Sequence, residues 1–206
     1  MERDMTLFSS KHENQAGQPA LAVDVVIMAA GKGTRMKSQL PKVLHRLAGR
    51  ALLQHVVDTA AGLSARRVVV ISGHGAAEVE AAIHRPAAAG AGFGLQFVRQ
   101  EPQLGTGHAV QQAAPALPDD GIVVVLSGDV PLTQVDTLRA LIAACGGDKL
   151  ALLTIEFPDP GGYGRIVRAK GIGSGADGAV QEIVEQKDAS AAQRAINEVY
   201  SGIMAA

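Results

Sequence analysis

Two cations and a carboxylate set the chemical expectation for this chain. Residues 26–45 read Val-Ile-Met-Ala-Ala-Gly-Lys-Gly-Thr-Arg-Met-Lys-Ser-Gln-Leu-Pro-Lys-Val-Leu-His: an apolar strand enters a loop of small residues carrying Arg35, and Lys42 directly follows Pro41. Small residues let backbone N–H groups close on a ligand, and fixed cations answer a polyanion, so the segment suits a nucleoside triphosphate. Arg35 stays protonated and its planar fork matches phosphate oxygens. Lys42 is a compact point charge whose place at a helix start opposes the helix dipole, so a ligand explains it better than the helix does. Lys32 and Lys37 have no such argument and read as solvated. The loop is not a Walker loop, because no G-x-x-x-x-G-K-[ST] occurs. Nor is it G-x-G-x-x-G, since Met36 stands where the third glycine would be.

Asp129 closes the apolar run before Ser127-Gly128-Asp129-Val130-Pro131. A carboxylate at a strand end, beside a glycine that permits close approach, suits Mg²⁺, which takes one or two protein carboxylates and completes its shell with phosphate and water. A turn or cap role for Asp129 is the competing reading. Gln100, Gln103, Gly105 and Thr106 lie in Gln-Glu-Pro-Gln-Leu-Gly-Thr-Gly-His. Glutamine carries both donor and acceptor and can read a pyrimidine edge, while Thr106 can also cap the following helix. The six histidines have no metal-ligand spacing and read as surface or satisfied residues.

The elements that must position these groups follow from the hydrophobic pattern. Strands are expected at 23–29, 67–72, 95–98, 122–127 and 150–156. The continuous runs 68–71 and 122–126 suit strands buried on both faces of a parallel sheet. Leu52, Leu53, Val56, Val57 and Ala60 form one helical stripe ending near Gly62, and further helices are expected at 76–84, 106–114 and 135–144. This alternation predicts a doubly wound, mostly parallel, Rossmann-like α/β sheet. Ala-Ala-Gly-Lys-Gly, Gly-His-Gly, Gln-Leu-Gly-Thr-Gly and Gly128-Asp129 follow successive strands, so all four loops are expected to line one cleft at the carboxyl ends. After the turn cluster Asp159-Pro160-Gly161-Gly162-Tyr163-Gly164, residues 165–168 and 179–184 read as an added β hairpin. The Ala/Gly-rich stretch 81–94 reads as a surface loop with helix remnants and no chemistry.

Composition narrows the class. In 206 residues, 47% are hydrophobic and 19% charged, which suits one globular domain. A net charge of −1 gives no electrostatic reason for nucleic-acid or membrane binding. Residues 1–20 have no apolar core of a secretory signal and read as a disordered arm before a domain at 21–206. The single cysteine, Cys145, fits a reducing cytoplasm and reads as a small apolar filler on a helix.

The motifs together resemble the uridylyltransferase half of the bacterial bifunctional UDP-N-acetylglucosamine pyrophosphorylase/glucosamine-1-phosphate N-acetyltransferase family. A-A-G-K-G-T-R-M and P-K-V-L-H mark the wider sugar-nucleotidyltransferase superfamily, and Q-L-G-T-G-H-A, G-D-V-P-L, G-Y-G-R-I and I-V-E-Q-K-D-A narrow the likeness. The resemblance implies a sheet of the sugar-nucleotidyltransferase type. It also implies Mg²⁺-dependent transfer of UMP from UTP to N-acetylglucosamine-1-phosphate for cell-wall precursor synthesis. Met28, Ala29, Ala30 and Gly31 would wrap the nucleotide, with Arg35 and Lys42 on its phosphates as the catalytic cations. Gln100, Gly105 and Thr106 would hold uracil; Ser127, Gly128 and Asp129 would sit near ribose and metal, with Asp129 the Mg²⁺ ligand. Gly164 and Glu185 would contact the sugar. Ser127 stands where relatives often have tyrosine, and Tyr200 where they usually have a sugar-binding asparagine. The last residues read as mid-strand, so the domain is expected to be cut short, with a second metal-binding asparagine and the acetyltransferase β-helix of the family lying beyond. The family resemblance implies a trimeric parent protein. Another sugar-1-phosphate nucleotidyltransferase and a nucleotide-binding module without turnover are the rival readings.

Overall fold

The computed structural model describes residues 21–31, 33, 36–87, 89–90, 93–169 and 178–206. The expected arm at 1–20 lies outside the described residues. Four parallel strands form the heart of the sheet: β1 (Val23–Met28), β4 (Arg67–Ser72), β5 (Gly94–Arg99) and β6 (Ile122–Ser127), in the order β5-β4-β1-β6. A small hairpin, β2 (Arg46–Leu47) with β3 (Arg50–Ala51), stands apart. Beyond β6 the sheet turns antiparallel. β10 (Glu198–Ala205) pairs with β6 and with β7 (Ala151–Glu156), then touches β8 (Arg165–Arg168), which forms a hairpin with β9 (Val180–Val184). The sheet is thus mostly parallel at its centre with an added hairpin region, as the alternation of strands and helices predicts. Most of the hairpin's connecting loop lies outside the described residues.

Period-2 alternation explains the layers. Val25, Ile27, Val68, Val70, Val124 and Leu126 face one side, where α1 (Leu52–Gly62), α2 (Ala76–Ala82) and α4 (Val135–Cys145) pack with Leu53, Val57, Val79 and Leu138. Val26, Val69, Ile71 and Val125 face the other, against Ala109 and Ala113 of α3 (Thr106–Ala113). Helices on both faces make the apolar runs of β4 and β6 continuous in sequence. A last short helix, α5 (Ala191–Arg194), is closed by a capping box between Ser190 and Gln193. Cys145 is fully buried at the end of α4, as its reading as a filler requires. The stretch 81–94 is less superficial than expected, because Ile83 and Phe93 are buried in the main core.

The two ends of the parallel strands are specialised. At the amino end, Asp24 of β1 is 1% exposed and pairs with Arg66, whose Nη2 donates to Oδ2 at 2.6 Å; the same guanidinium reaches Asp120, just before β6, at 3.1 Å. That staple ties the starts of three neighbouring strands. The carboxyl end is left for loops. Because the chain winds outward from β1 to β5 and then returns to β6 on the other side of β1, the crevice between Met28 and Ser127 is the switch point of the fold. No helix among the described residues is long and apolar enough to cross a membrane.

Candidate active site

A cleft of about 1020 Å³ opens at that switch point. The first loop contributes Met28, Ala29, Ala30 and Gly31 to its wall, and the 3-10 turn Lys42–Leu44 contributes Lys42 and Val43. Gln100, Gln103, Gly105 and Thr106 come from the loop between β5 and α3, and Ser127 and Asp129 from the end of β6. Eleven of the expected residues therefore share one hollow. Arg35 lies outside the described residues. Gly128 does not line the cleft: a Cβ there would meet Leu53 Cδ1 at 3.1 Å and Met28 O at 3.2 Å, so glycine is needed for close packing beneath the site.

The loop after β4 does not line the cleft either, contrary to expectation. Gly73 lies behind the wall, where a Cβ would come within 2.5 Å of Gln103 Nε2 and 2.8 Å of Ala30 Cβ. Gln103 in turn donates from Nε2 to the Ala30 carbonyl at 2.9 Å, bracing the first loop. A strand end that supports a loop and one that touches ligand have the same glycine-rich signature; only packing separates them.

The electrostatics are concentrated in one contact. Lys42 Nζ and Asp129 Oδ2 form an ion pair across the cleft, and they are the only cation and carboxylate among the described lining residues. No group of three or more His, Cys, Asp or Glu among the described residues could hold a metal as a closed protein cage. A lone carboxylate at the mouth fits a hard cation that brings phosphate and water to complete its shell.

In the loop after β5, Gln100 is 5% exposed and its Nε2 donates to the Gly105 carbonyl at 2.8 Å. Thr106 does not cap α3. The N-cap is Gly105, and no side chain caps the first turn, which leaves its N–H groups without a side-chain partner beside the cleft that Gly105 and Thr106 line. The shift of one residue arises because only glycine accepts the φ of 100° at that cap.

The far wall comes from Gly161, Gly162, Tyr163 and Ser201, which the sequence reading passed over as turn and strand. Their signal was present in Gly161-Gly162-Tyr163, a small-residue turn closed by an aromatic, but turn chemistry alone does not say which face it presents. Tyr163 stands 5.3 Å from the Phe157 ring, and the Arg165 guanidinium donates to the Tyr163 carbonyl and to Gln186 Oε1 at 2.6 Å. Arg165 is 2% exposed, and its Nε has no hydrogen-bond partner among the described residues.

Gly164, Glu185 and Tyr200 do not line the cleft, contrary to expectation; Gly164 is buried beneath the turn and Glu185 is exposed. They are neighbours: a Cβ on Gly164 would sit 3.5 Å from Glu185 Oε1, and Tyr200 N donates to the Gly164 carbonyl at 2.9 Å. The Tyr200 hydroxyl is buried without a partner among the described residues, and burial pushes its pKa above the usual value.

Comparison with known proteins agrees with this architecture. A family model described as the MobA-like NTP transferase domain matches residues 25–191. The chain is similar to the bifunctional protein GlmU of Albidiferax ferrireducens, at 74% identity, and to that of Polaromonas naphthalenivorans, at 71%, each over 183 residues. Those alignments cover 89% of this chain and 38% of each relative, so the chain spans well under half the length of the curated relatives it matches. Among solved structures it is similar to a UDP-glucose pyrophosphorylase from Acinetobacter baumannii, with a TM-score of 0.72 at 20% identity, covering 90% of this chain and 74% of that one. A UTP-bound form from the same organism gives a TM-score of 0.72 at 21% identity, covering 89% and 74%. At such identity the structural likeness establishes the fold.

Proposed function

Because the chain belongs to the MobA-like NTP transferase domain family, we propose that it carries the site for transfer of UMP from UTP to N-acetylglucosamine-1-phosphate, releasing pyrophosphate. The observation that carries the proposal is the gathering of Lys42, Asp129, Gln100 and Thr106 in one cleft at the switch point. The high-identity relatives named bifunctional protein GlmU support the choice within the family.

The 1-phosphate oxygen of the sugar attacks the α-phosphorus of UTP in line, the bond from that phosphorus to the bridging oxygen breaks, and the electron pair leaves with pyrophosphate. No covalent enzyme intermediate is required, so the protein contributes positioning and charge. Lys42 leaves Asp129 to meet the phosphates, and the Arg35 guanidinium would add a bidentate partner for the same triphosphate. Asp129 would hold a magnesium ion, which when bound supplies charge neutralisation on the triphosphate. The first-turn N–H groups of α3 and the Gln100 amide face the nucleobase end, while Gly161, Gly162 and Tyr163 close the opposite end, where the sugar phosphate enters. Gly164 and Glu185, neighbours next to the Gly161–Tyr163 turn, would serve that end. A nucleotide-consuming reaction and a lone thiol suit the cytoplasm.

The direct test is pyrophosphate release with UTP, N-acetylglucosamine-1-phosphate and Mg²⁺, run beside glucose-1-phosphate and the other nucleoside triphosphates. Turnover strongest with the first pair supports the proposal. Nucleotide binding without pyrophosphate release from any pair would replace it with a binding module.

A further inference from the structure

We infer that His108 is a positioning residue that makes the cleft select an imide-bearing pyrimidine over cytosine, by fixing the Gln100 amide with its oxygen toward the base. The inference rests on the nucleotide reading above and extends it to a residue outside the cleft lining.

Gln100 immediately follows β5, and its side chain is almost wholly buried. Its Nε2 donates to the Gly105 carbonyl at 2.8 Å and lies 3.1 Å from His108 Nδ1. A backbone carbonyl only accepts, so the amide nitrogen must be the end turned toward Gly105. The second N–H then points at Nδ1, which must accept; the ring proton is therefore on Nε2. The assignment fixes the amide of Gln112 in turn. Its Nε2 is placed 3.2 Å from the ring Nε2, and a neutral ring offers one acceptor, so both amides cannot donate to it. The Gly105 bond fixes Gln100 as the donor, so the Gln112 amide is the one to reassign, with its oxygen accepting from Nε2–H.

Both protons of the Gln100 amide are thereby used within the protein, and Oε1 is the pole left for a ligand. An acceptor meets the N3–H of uracil productively. Cytosine presents a lone pair at N3, and two acceptors face to face repel. Without the histidine acceptor, the Gly105 carbonyl alone holds the amide, so turning its nitrogen toward cytosine breaks one hydrogen bond instead of two. Selectivity is then set by a residue that need not touch the base, which makes its effect separable from general binding.

The test compares kcat/KM for UTP and CTP, with calorimetric Kd values for both, in the full chain and in His108→Leu and His108→Asn. The Asn Oδ1 can take the place of Nδ1 as acceptor. His108→Leu is expected to lower the UTP-to-CTP ratio roughly tenfold or more, mainly through KM and Kd, about the worth of one hydrogen bond to the base. His108→Asn is expected to keep the ratio within about threefold of the parent. Equal losses on both nucleotides in His108→Leu, or an asparagine variant as unselective as the leucine one, would overturn the inference. His108→Phe keeps ring bulk without the acceptor and repeats the measurement if the leucine variant does not fold. Should the parent chain bind UTP over CTP without turnover, the transfer reading fails and the Kd ratios alone decide the inference. Should it bind them alike, or bind neither, the inference falls.

Discussion

Lys42 and Asp129, brought by the first loop and by the end of β6, form an ion pair across the cleft mouth. Each neutralises the other where both a polyanion and a cation would bind, so ligand entry exchanges one set of charges for another. Replacing Lys42 with alanine should lower kcat by about 10²–10³, by analogy with loss of an oxyanion donor. It should not weaken binding of Mn²⁺ without nucleotide, because the carboxylate loses its competing ammonium. Asp129→Asn should abolish both. Pyrophosphate release and Mn²⁺ titration read the two effects; weaker Mn²⁺ binding in Lys42→Ala would contradict this account.

Gly164 tests the sugar end. A methyl group there would sit 3.1 Å from Ile183 Cγ2, a tight contact, and 3.5 Å from Glu185 Oε1, an ordinary one, so Gly164→Ala should press on Ile183 and shift the strand that leads to Glu185. We expect KM for the sugar phosphate to rise by roughly tenfold, with KM for UTP nearly unchanged. Equal changes in both KM values would detach this cluster from the sugar.

Glu198 predicts an acid-sensitive element. The Arg168 guanidinium hydrogen-bonds it at 2.5 and 2.7 Å and holds its carboxyl below the usual carboxylate pKa of 4.5. A depressed native pKa contributes stability that is present above the unfolded value and lost as pH falls through the folded one. Glu198→Gln should cost about 1.5–3 kcal/mol at pH 7, as for hydrogen bonds to charged groups, and the cost should shrink below about pH 4. Urea melts at several pH values measure it, and a pH-independent difference would rule out the linkage.

Tyr200 carries a buried hydroxyl with no partner among the described residues. Such a group costs about 1–3 kcal/mol in desolvation, so Tyr200→Phe should leave stability unchanged or raise it by about 1 kcal/mol. A loss of more than about 1 kcal/mol in a urea melt would mean the hydroxyl is bonded in solution.

How far the chain could be read before folding depends on what each signal encodes. β4 and β6 were legible residue for residue, because burial on both faces demands an unbroken apolar run. The end of β6 was legible too, since a charge after a buried strand has few structural reasons to be there, whereas the loop after β4 was read as lining the cleft and does not. By contrast, Gly73 and Gly31 look alike in sequence. One backs the wall and the other lines it, according to packing from Gln103 and Ala30. Thr106 was one residue from its expected place because Gly105 could take the cap.

Local order along the chain determined the alternation of strands and helices, the site of the nucleotide loop and the types of group available to it. These follow from periodicity and side-chain chemistry within short windows. Tertiary structure alone decided that Lys42 meets Asp129, that Gly161, Gly162 and Tyr163 line the same cleft, and that His108 stands beside the Gln100 amide. Those relations depend on strand order, on the antiparallel turn of the sheet at β10, and on which hydrogen-bond poles remain once the backbone has taken its share.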